Sequence, residues 1–404
     1  MKNIVIFSLL SVLVTITNEK SVLAQSDWTF TEWCKNQENL TPEAKYTVRV
    51  LLEEAGTEEC DRAEEKFTEL TALYLHRNEI VDVTPLSSLT YLKRLGLDGN
   101  KITDITPLAN LNNLESLSLD DNQITDLTPL SGLNALSYLS LNNNQITDIN
   151  PLAGAIDLKQ LRLNDNQITD MTPLSGLNAL SHLSLNNNQI MDMTPLSGLN
   201  TLSYLSLNNN QITDVTSLSD LNTLSYLSLD NNQITDVTSL AGLINLESLS
   251  LDKNQITDMT PLAGLTNLQY LYLAKNKITS IAPLAGLANL VALSLYENQV
   301  VDVTPLAGSI YLDWLDLNKN QIIEVTPLAN LTSLRTLYLD ENQIVDVTPL
   351  ARLYLLSRLH LNENRILDIA SLVRLNNLKQ LELGGNPLGD FPICPVQPET
   401  ICNF

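Results

Sequence analysis

Asparagine recurs fifteen times at a spacing of 22 residues, without an insertion or deletion between the first copy and the last. The copies share the frame Leu-x-x-Leu-x-Leu-x-x-Asn-x-Ile-x-Asp. An array of this regularity predicts a solenoid, in which each unit packs only against its neighbours. It also indicates an extended surface rather than a single catalytic constellation. We call these residues the asparagine ladder: Asn78, Asn100, Asn122, Asn144, Asn166, Asn188, Asn210, Asn232, Asn254, Asn276, Asn298, Asn320, Asn342, Asn364 and Asn386.

Each repeat is predicted to combine a short strand with a short helical turn. In the repeat at 114–135, Leu117 and Leu119 alternate with polar residues, which is the pattern of a strand. Thr128 then precedes Pro129. A threonine cap followed by proline at the first helical position predicts one 3₁₀ or α turn. The unit is therefore strand, turn, helical turn and return.

One such unit is too small to fold alone, so the repeats must stack. Stacking shares the leucine layers between neighbours and pairs adjacent strands in a parallel sheet. We expect each ladder asparagine to be buried and to satisfy the backbone of its own turn and of the next turn. The resulting fold class is an α/β solenoid over residues 70–390.

Different sequence at each end predicts two caps. Residues 25–69 are predicted to form a helical N-terminal cap, with one helix from Pro42 to about Ala55 and a second from Thr57 to Phe67. Residues 391–404 form the C-terminal cap, and the proline-rich stretch 387–404 is not expected to continue the sheet.

The four cysteines lie outside the array, two in each cap. Three pairings are possible, and the two local ones, Cys34–Cys60 and Cys394–Cys402, are favoured because the others join opposite ends of a long solenoid. Zinc binding by the four cysteines is the competing interpretation, and their separation counts against it.

Residues 1–24 have the features of a secretory signal, with cleavage expected after Ala24. An uncleaved anchor is the alternative. The sequence thus predicts a secreted, periplasmic or cell-surface protein. A formal net charge of −23 repels phosphate backbones and anionic lipid, so neither nucleic-acid binding nor membrane insertion of the mature chain is expected.

The repeat frame resembles the 22-residue leucine-rich repeat of bacterial internalin-like proteins, over about 320 residues. This resemblance implies an arc with a parallel sheet on its concave side and short helical turns on its convex side. It further implies a protein partner bound on the concave face. The immunoglobulin-like domain and the wall-sorting tail common in internalins are not found, so only the binding role carries over.

Aromatic residues concentrate where strand side chains point away from the leucines, at six, four and two residues before each ladder asparagine. Nine of the twelve aromatics in the repeats lie there, and strand propensity explains part of this bias. Five of them fall between residues 270 and 338 and are predicted to form one patch with a polar rim. The first candidate site is Tyr270, Tyr272, Tyr296, Trp314, Asp316, Tyr338, Asp340, Arg358 and His360. The second is Tyr204 and Tyr226 with His182.

A protein partner is the favoured ligand, and carbohydrate is the alternative because stacked rings beside Asp and Asn suit sugar faces. A purely structural surface protein is the remaining possibility. Neither an enzyme nor a cofactor or metal is predicted: the three histidines are repeats apart, and His182 beside Ser184 lies on an open face without a water-excluding pocket. The column Asp98, Asp120, Asp230 and Asp252 is interpreted as a solvated acidic face, with weak calcium binding as the alternative.

Overall fold

The computed structural model describes residues 28–389 and 393–404, so the signal predicted at 1–24 lies outside the described residues. Three helices come first: α1 (Phe30–Lys35), α2 (Pro42–Ala55) and α3 (Cys60–Glu69). A sixteen-stranded parallel sheet follows, with its strands in sequence order. The strands are β1 (Ala72–Tyr74), β2 (Arg94–Gly96), β3 (Ser116–Ser118), β4 (Tyr138–Ser140), β5 (Gln160–Arg162), β6 (His182–Ser184), β7 (Tyr204–Ser206), β8 (Tyr226–Ser228), β9 (Ser248–Ser250), β10 (Tyr270–Tyr272), β11 (Ala292–Ser294), β12 (Trp314–Asp316), β13 (Thr336–Tyr338), β14 (Arg358–His360), β15 (Gln380–Glu382) and β16 (Cys402–Asn403).

The register between neighbouring repeat strands equals the length of one repeat. Leu73 aligns with Leu95, and Leu293 aligns with Leu315. The central leucines of these strands are at most 1 % exposed and form one continuous core along the array. The predicted leucine-rich repeat solenoid is therefore confirmed.

Each repeat returns through a 3₁₀ turn, but the predicted threonine cap is wrong. Thr128 is the first residue of its turn rather than the cap. Its N–H donates to Asp126 Oδ1 at 2.8 Å, so the aspartate four residues after the ladder asparagine caps the turn. Ser280 replaces this aspartate in one repeat and accepts from the Ala282 N–H at 3.4 Å.

The asparagine ladder ties each repeat to the one before it. The Asn210 amide nitrogen donates to the Leu207 carbonyl of its own repeat and to the Leu185 carbonyl of the preceding repeat, both at 3.0 Å. Its Oδ1 accepts from the Ile190 N–H, also at 3.0 Å and also in the preceding repeat. The predicted burial holds for the thirteen internal copies, which are 6–8 % exposed, whereas Asn78 and Asn386 at the ends are only half-buried.

The residue before each internal ladder asparagine has a left-handed backbone. Its φ is 54° at Asp121, 55° at Asn187 and 53° at Glu363, and glycine occupies the position at Gly99 and Gly385. This conformation turns the chain sharply out of the strand. It is strained for any residue with a Cβ, so asparagine, aspartate and glycine suit it better than lysine or glutamate.

The N-terminal cap is more elaborate than the sequence prediction. Helix α2 spans the predicted residues and ends at Gly56, which is left-handed with φ 62°. Helix α3 begins at Cys60, three residues later than predicted, because the Thr57 N–H still bonds to Leu52 at the end of α2. Helix α1 was not predicted, although Thr29 and Glu32 form a capping box at its start. A disulfide bond joins Cys34 in α1 to Cys60 in α3.

The C-terminal cap contradicts the prediction that residues 387–404 cannot extend the sheet. Strand β16 pairs in parallel with β15, and the Leu383 N–H donates to the Asn403 carbonyl at 2.7 Å. The prolines precede this strand, so Cys402 and Asn403 keep the N–H groups that pairing requires. The Cys394–Cys402 disulfide bond holds the segment in place. Among the described residues, no helix is long and apolar enough to cross a membrane.

Candidate partner-binding face

The sheet face opposite the leucine core carries the side chains six, four and two residues before each ladder asparagine, and we call it the concave face. Much of it is closed by a second polar ladder that the sequence analysis missed. The Asn186 side chain accepts from the Asn208 N–H at 2.7 Å and from the Ser206 hydroxyl at 2.7 Å. In the same way, Asp120 Oδ1 accepts from the Ser140 hydroxyl and from the Asn142 N–H, both at 2.7 Å.

This second ladder corrects one expectation and buries a column of serines. The preceding repeat covers these serines, so Ser140 is fully buried and Ser206 is 2 % exposed. Asp98, Asp120, Asp230 and Asp252 are not simply a solvated acidic face, since each accepts a backbone N–H of the next repeat. The recurring Leu-Ser-Leu-[Asn/Asp] sequence was the available signal.

The second ladder is interrupted beside the first candidate site. Ala274 and Tyr296 occupy the position that elsewhere holds the accepting aspartate or asparagine. The ladder ends with Asp252, which accepts from the Ala274 N–H at 2.6 Å, and it resumes only with Asn318, which accepts from the Asp340 N–H at 2.5 Å. Tyr272 lies on β10, within this interruption, and Trp314 lies on β12, where the ladder resumes.

Four of the predicted residues form a chain of ring contacts, which we call the Trp314 cluster: Tyr272, Trp314, Tyr338 and His360. Ring centroids are 6.4 Å apart between Tyr272 and Trp314, 6.1 Å between Trp314 and Tyr338, and 4.7 Å between Tyr338 and His360. Tyr272 and Trp314 meet although a whole strand separates them. The intervening strand β11 presents only Ala292 and Ser294, so the two rings close over it.

The predicted patch of five rings is not one ring cluster. Tyr270 is 40 % exposed and makes no ring contact among the described residues. Tyr296 follows β11 and instead contacts cations, with the Lys275 ammonium 5.5 Å and the Lys319 ammonium 5.7 Å from its ring centroid. Arg358 is exposed on β14, beside the cluster. The spacing rule placed the residues correctly but could not give the side-chain directions.

Carboxylates with perturbed pKa values surround the Trp314 cluster. Burial raises the pKa of Asp252 to about 6 and that of Asp316 to about 6, and it also raises the pKa of Asp340. Asp340 Oδ2 lies 3.5 Å from His360 Nδ1, but within residues 28–389 and 393–404 neither Asp252 nor Asp316 forms a salt bridge. The His360 Nε2 is buried without a hydrogen-bond partner among these residues.

The second candidate site is a stack of three rings on successive strands. His182 and Tyr204 are parallel with centroids 3.9 Å apart, and Tyr204 and Tyr226 are parallel at 4.3 Å. Burial raises the pKa of Tyr204 and, together with nearby Arg162, lowers that of His182. The inner ring faces are therefore occupied by one another, and the stack presents its edges.

A third pair lies at the start of the array and was not singled out by the sequence. Tyr74 stacks on His76 at 5.6 Å, and His76 Nδ1 lies 2.9 Å from Asp98 Oδ2. Gly96 leaves room for this pair, since a Cβ there would clash with both rings. In the described part of the chain, no group of three or more His, Cys, Asp or Glu side chains is placed to hold a metal ion.

Comparison with known proteins identifies the class of protein. The profile described as leucine rich repeats (2 copies) matches residues 68–110, 112–154, 156–200, 200–242, 222–264, 244–285, 266–308 and 312–352. The chain therefore belongs to the leucine-rich repeat family. No curated protein sequence matches it.

Solved structures show which leucine-rich repeat proteins this chain is similar to. An internalin, InlF of Listeria monocytogenes, shares 34 % identity with a TM-score of 0.75, and the match covers 79 % of this chain and 95 % of that one. A leucine-rich repeat protein of Leptospira interrogans shares 26 % identity with a TM-score of 0.73, covering 83 % and 93 %. The ectodomain of the Arabidopsis thaliana receptor kinase GASSHO1/SCHENGEN3 shares 25 % identity with a TM-score of 0.66, covering 78 % and 44 %. The chain is thus an internalin-like leucine-rich repeat protein, as the resemblance implied.

Proposed function

We propose that this protein is a secreted or cell-surface, non-enzymatic scaffold that binds a protein partner on its concave face, through the Trp314 cluster. The observation that carries the proposal is the half-buried chain of rings in a polar rim, because such aromatic clusters are typical of interface hot spots. The two disulfide bonds suit an oxidising compartment.

The comparisons support a protein rather than a small ligand. The Arabidopsis ectodomain was solved in complex with CASPARIAN STRIP INTEGRITY FACTOR 2. An open sheet face of parallel strands offers a long, rigid and pre-organised surface, which reduces the conformational cost of association.

Carbohydrate binding is supported less well by the ring geometry. Sugar stacking requires an open ring face, but His182, Tyr204 and Tyr226 stack on one another with interplanar angles of 6° and 4°. The ring planes of Trp314 and Tyr338 lie at 73° to each other, so these two rings do not form a flat stacking surface either. These side chains present edges and hydroxyl groups, which suit an irregular protein surface better.

The test is a pull-down with the disulfide-intact protein as bait, from surface and culture fractions, with a glycan array run in parallel. A double variant, Trp314→Ala with Tyr272→Ala, should weaken binding of the recovered partner by at least about tenfold, as expected for a central aromatic anchor. Circular dichroism should show unchanged folding, since these side chains lie outside the leucine core.

The matched control is Tyr311→Ala with Tyr354→Ala. These tyrosines are 59 % and 52 % exposed but lie outside the strands, so the variant removes similar aromatic surface from another face. Equal affinity of the wild type and the Trp314/Tyr272 variant contradicts the proposed site. Glycan binding without any protein partner contradicts the proposed ligand class.

A further inference from the structure

The interruption of the second ladder has a chemical character that the rest of the concave face lacks. Three small side chains lie between β9 and β12: Ala274 is 8 %, Ala292 is 9 % and Ser294 is 5 % exposed. Larger side chains rise on both sides of them, Tyr272 on one and Trp314 on the other. These two aromatic walls meet above the floor, with ring centroids 6.4 Å apart, and cover Ala292 and Ser294.

A carboxylate lies at each end of the same floor. Asp252 is held beside Ala274 by its bond to the Ala274 N–H. Asp316 lies next to Ser294 across the strand pair and two residues after Trp314, with one oxygen accepting from the Asn318 N–H at 3.0 Å. Each carboxylate uses one oxygen in a backbone hydrogen bond, and no lysine, arginine or histidine of the described chain forms a salt bridge with either.

The fold does not require negative charge at Asp252. Other repeats place asparagine in the same column, and Asn208 Oδ1 accepts a backbone N–H at 2.7 Å in the same way. An amide therefore supports the ladder as well as a carboxylate does, without the cost of burying a charge. The raised pKa of Asp252 reports that cost, since burial is its first cause and the neighbouring carboxylates Asp230 and Asp316 add to it. Such a cost is offset when a cation is bound.

We propose that the surface between Asp252 and Asp316 receives a guanidinium group, an arginine side chain of the protein partner, on the outer side of the Tyr272–Trp314 ring pair. This inference rests on the proposed function and specifies the chemistry of the partner. A guanidinium suits the site because it stacks on aromatic faces and bonds to carboxylates in two directions. The net charge of −23 attracts a basic partner surface to the same face.

A defined peptide tests the inference before any partner is identified. The disulfide-intact protein is labelled with 5-fluorotryptophan, and its fluorine NMR spectrum is recorded while acetyl-Gly-Gly-Arg-Gly-Gly-amide is added at pH 7.5 and low salt. The Trp314→Phe variant assigns the signal of Trp314 among the three tryptophans. We expect a saturable shift of that signal with a dissociation constant in the millimolar range.

Two comparisons decide whether charge recognition causes the shift. The peptide with citrulline in place of arginine has the same shape without the charge, and it should give no saturable shift. The double variant Asp252→Asn with Asp316→Asn should bind the arginine peptide at least about tenfold more weakly. Asp120→Asn is the control, because Asp120 occupies the same column as Asp252 in a repeat without the aromatic walls.

Equal shifts with arginine and citrulline peptides, no shift with either, or unchanged affinity in the double variant overturn the inference. The proposed function fails separately, when the Trp314/Tyr272 variant retains full affinity for a recovered partner. A partner lost by that variant but retained by the Asp252/Asp316 variant means that the concave face binds protein without an arginine in this position.

Discussion

Replacing Asn210 by alanine tests the asparagine ladder, on which the solenoid depends. The substitution removes an acceptor from the Ile190 N–H and a donor from the Leu185 and Leu207 carbonyls. Asn210 is 8 % exposed, so water does not replace these bonds without opening the turn. An orphaned buried N–H costs about 1–3 kcal/mol, and carbonyls that lose one donor add less. We therefore expect Asn210→Ala to destabilise the protein by about 3 kcal/mol.

The first ladder residue provides the control. Asn78 has no preceding repeat to bridge, and its amide donates only to the His76 carbonyl, at 3.3 Å. Asn78→Ala removes the same chemical group from the same position of the frame but leaves no buried group unsatisfied. We expect its effect to stay within about 0.5 kcal/mol, as for ordinary surface substitutions.

Hydrogen exchange is the appropriate assay, because long repeat arrays do not always unfold as a single unit. Exchange monitored by mass spectrometry should show that the peptide containing Ile190 loses protection in Asn210→Ala by about a hundredfold, the equivalent of about 3 kcal/mol. Urea titration followed by circular dichroism should show a lower midpoint for this variant. Equal behaviour of Asn210→Ala and Asn78→Ala refutes the bridging role of the ladder.

Three further predictions concern the turn, the buried carboxylates and the ligand. Glu363→Gly should stabilise the protein by about 1 kcal/mol in urea titration, because φ is 53° there, whereas Gly99→Ala should destabilise it at the equivalent position. Asp252→Asn should stabilise the protein by about 1 kcal/mol at pH 7.5, after discounting for its partial exposure. The gain should vanish near pH 4, because the pKa of Asp252 is raised from 3.8 to about 6 in the folded protein, so the cost of ionisation develops between these values and is complete above about 6. Asp258→Asn is the opposite case and should not stabilise, since the Thr260 hydroxyl and N–H lower the pKa of Asp258. Binding of the arginine peptide should weaken as the pH falls from 7.5 to 5, because Asp252 and Asp316 lose their negative charge. The other charged groups that face these two carboxylates are Asp230, Lys253, Asp340 and His360. A fluorine NMR titration of the peptide at both pH values tests this prediction.

The fold was predictable because its determinants are local and repeated. The 22-residue spacing gives the strand register, and the leucine pattern gives the core. Departures occurred where a contact between repeats decides the outcome. Helix α3 begins late because the Thr57 N–H is still bonded to α2, and β16 joins the sheet although four prolines lie upstream of it in the stretch 387–404. Neither contact has a signature in a single repeat.

For the candidate site, the sequence predicted only which residues lie on the concave face, and not how their side chains are arranged. Position in the frame identifies which side chains leave the core, but the direction of each ring depends on the size of its neighbours. Trp314 reaches Tyr272 because Ala292 and Ser294 are small, whereas Tyr296 turns toward Lys275 and Lys319. Similarly, the sequence showed serine and asparagine columns without showing that they bond to each other and bury the serines.

The repeats that are most alike have the fewest groups free to bind a partner. Where the repeats are near copies, the serine, asparagine and aspartate columns satisfy one another and leave few unpaired groups on the concave face. Between Asp252 and Asn318 the second ladder loses its acceptors, and the same stretch holds Tyr272, Trp314 and two carboxylates that form no salt bridge within the described part of the chain. A partner that supplies a cation there replaces contacts that the neighbouring repeat provides elsewhere. The proposed site is therefore the part of the sheet that the solenoid itself leaves incomplete, and Asp252→Asn should weaken binding of the arginine peptide while it stabilises the fold.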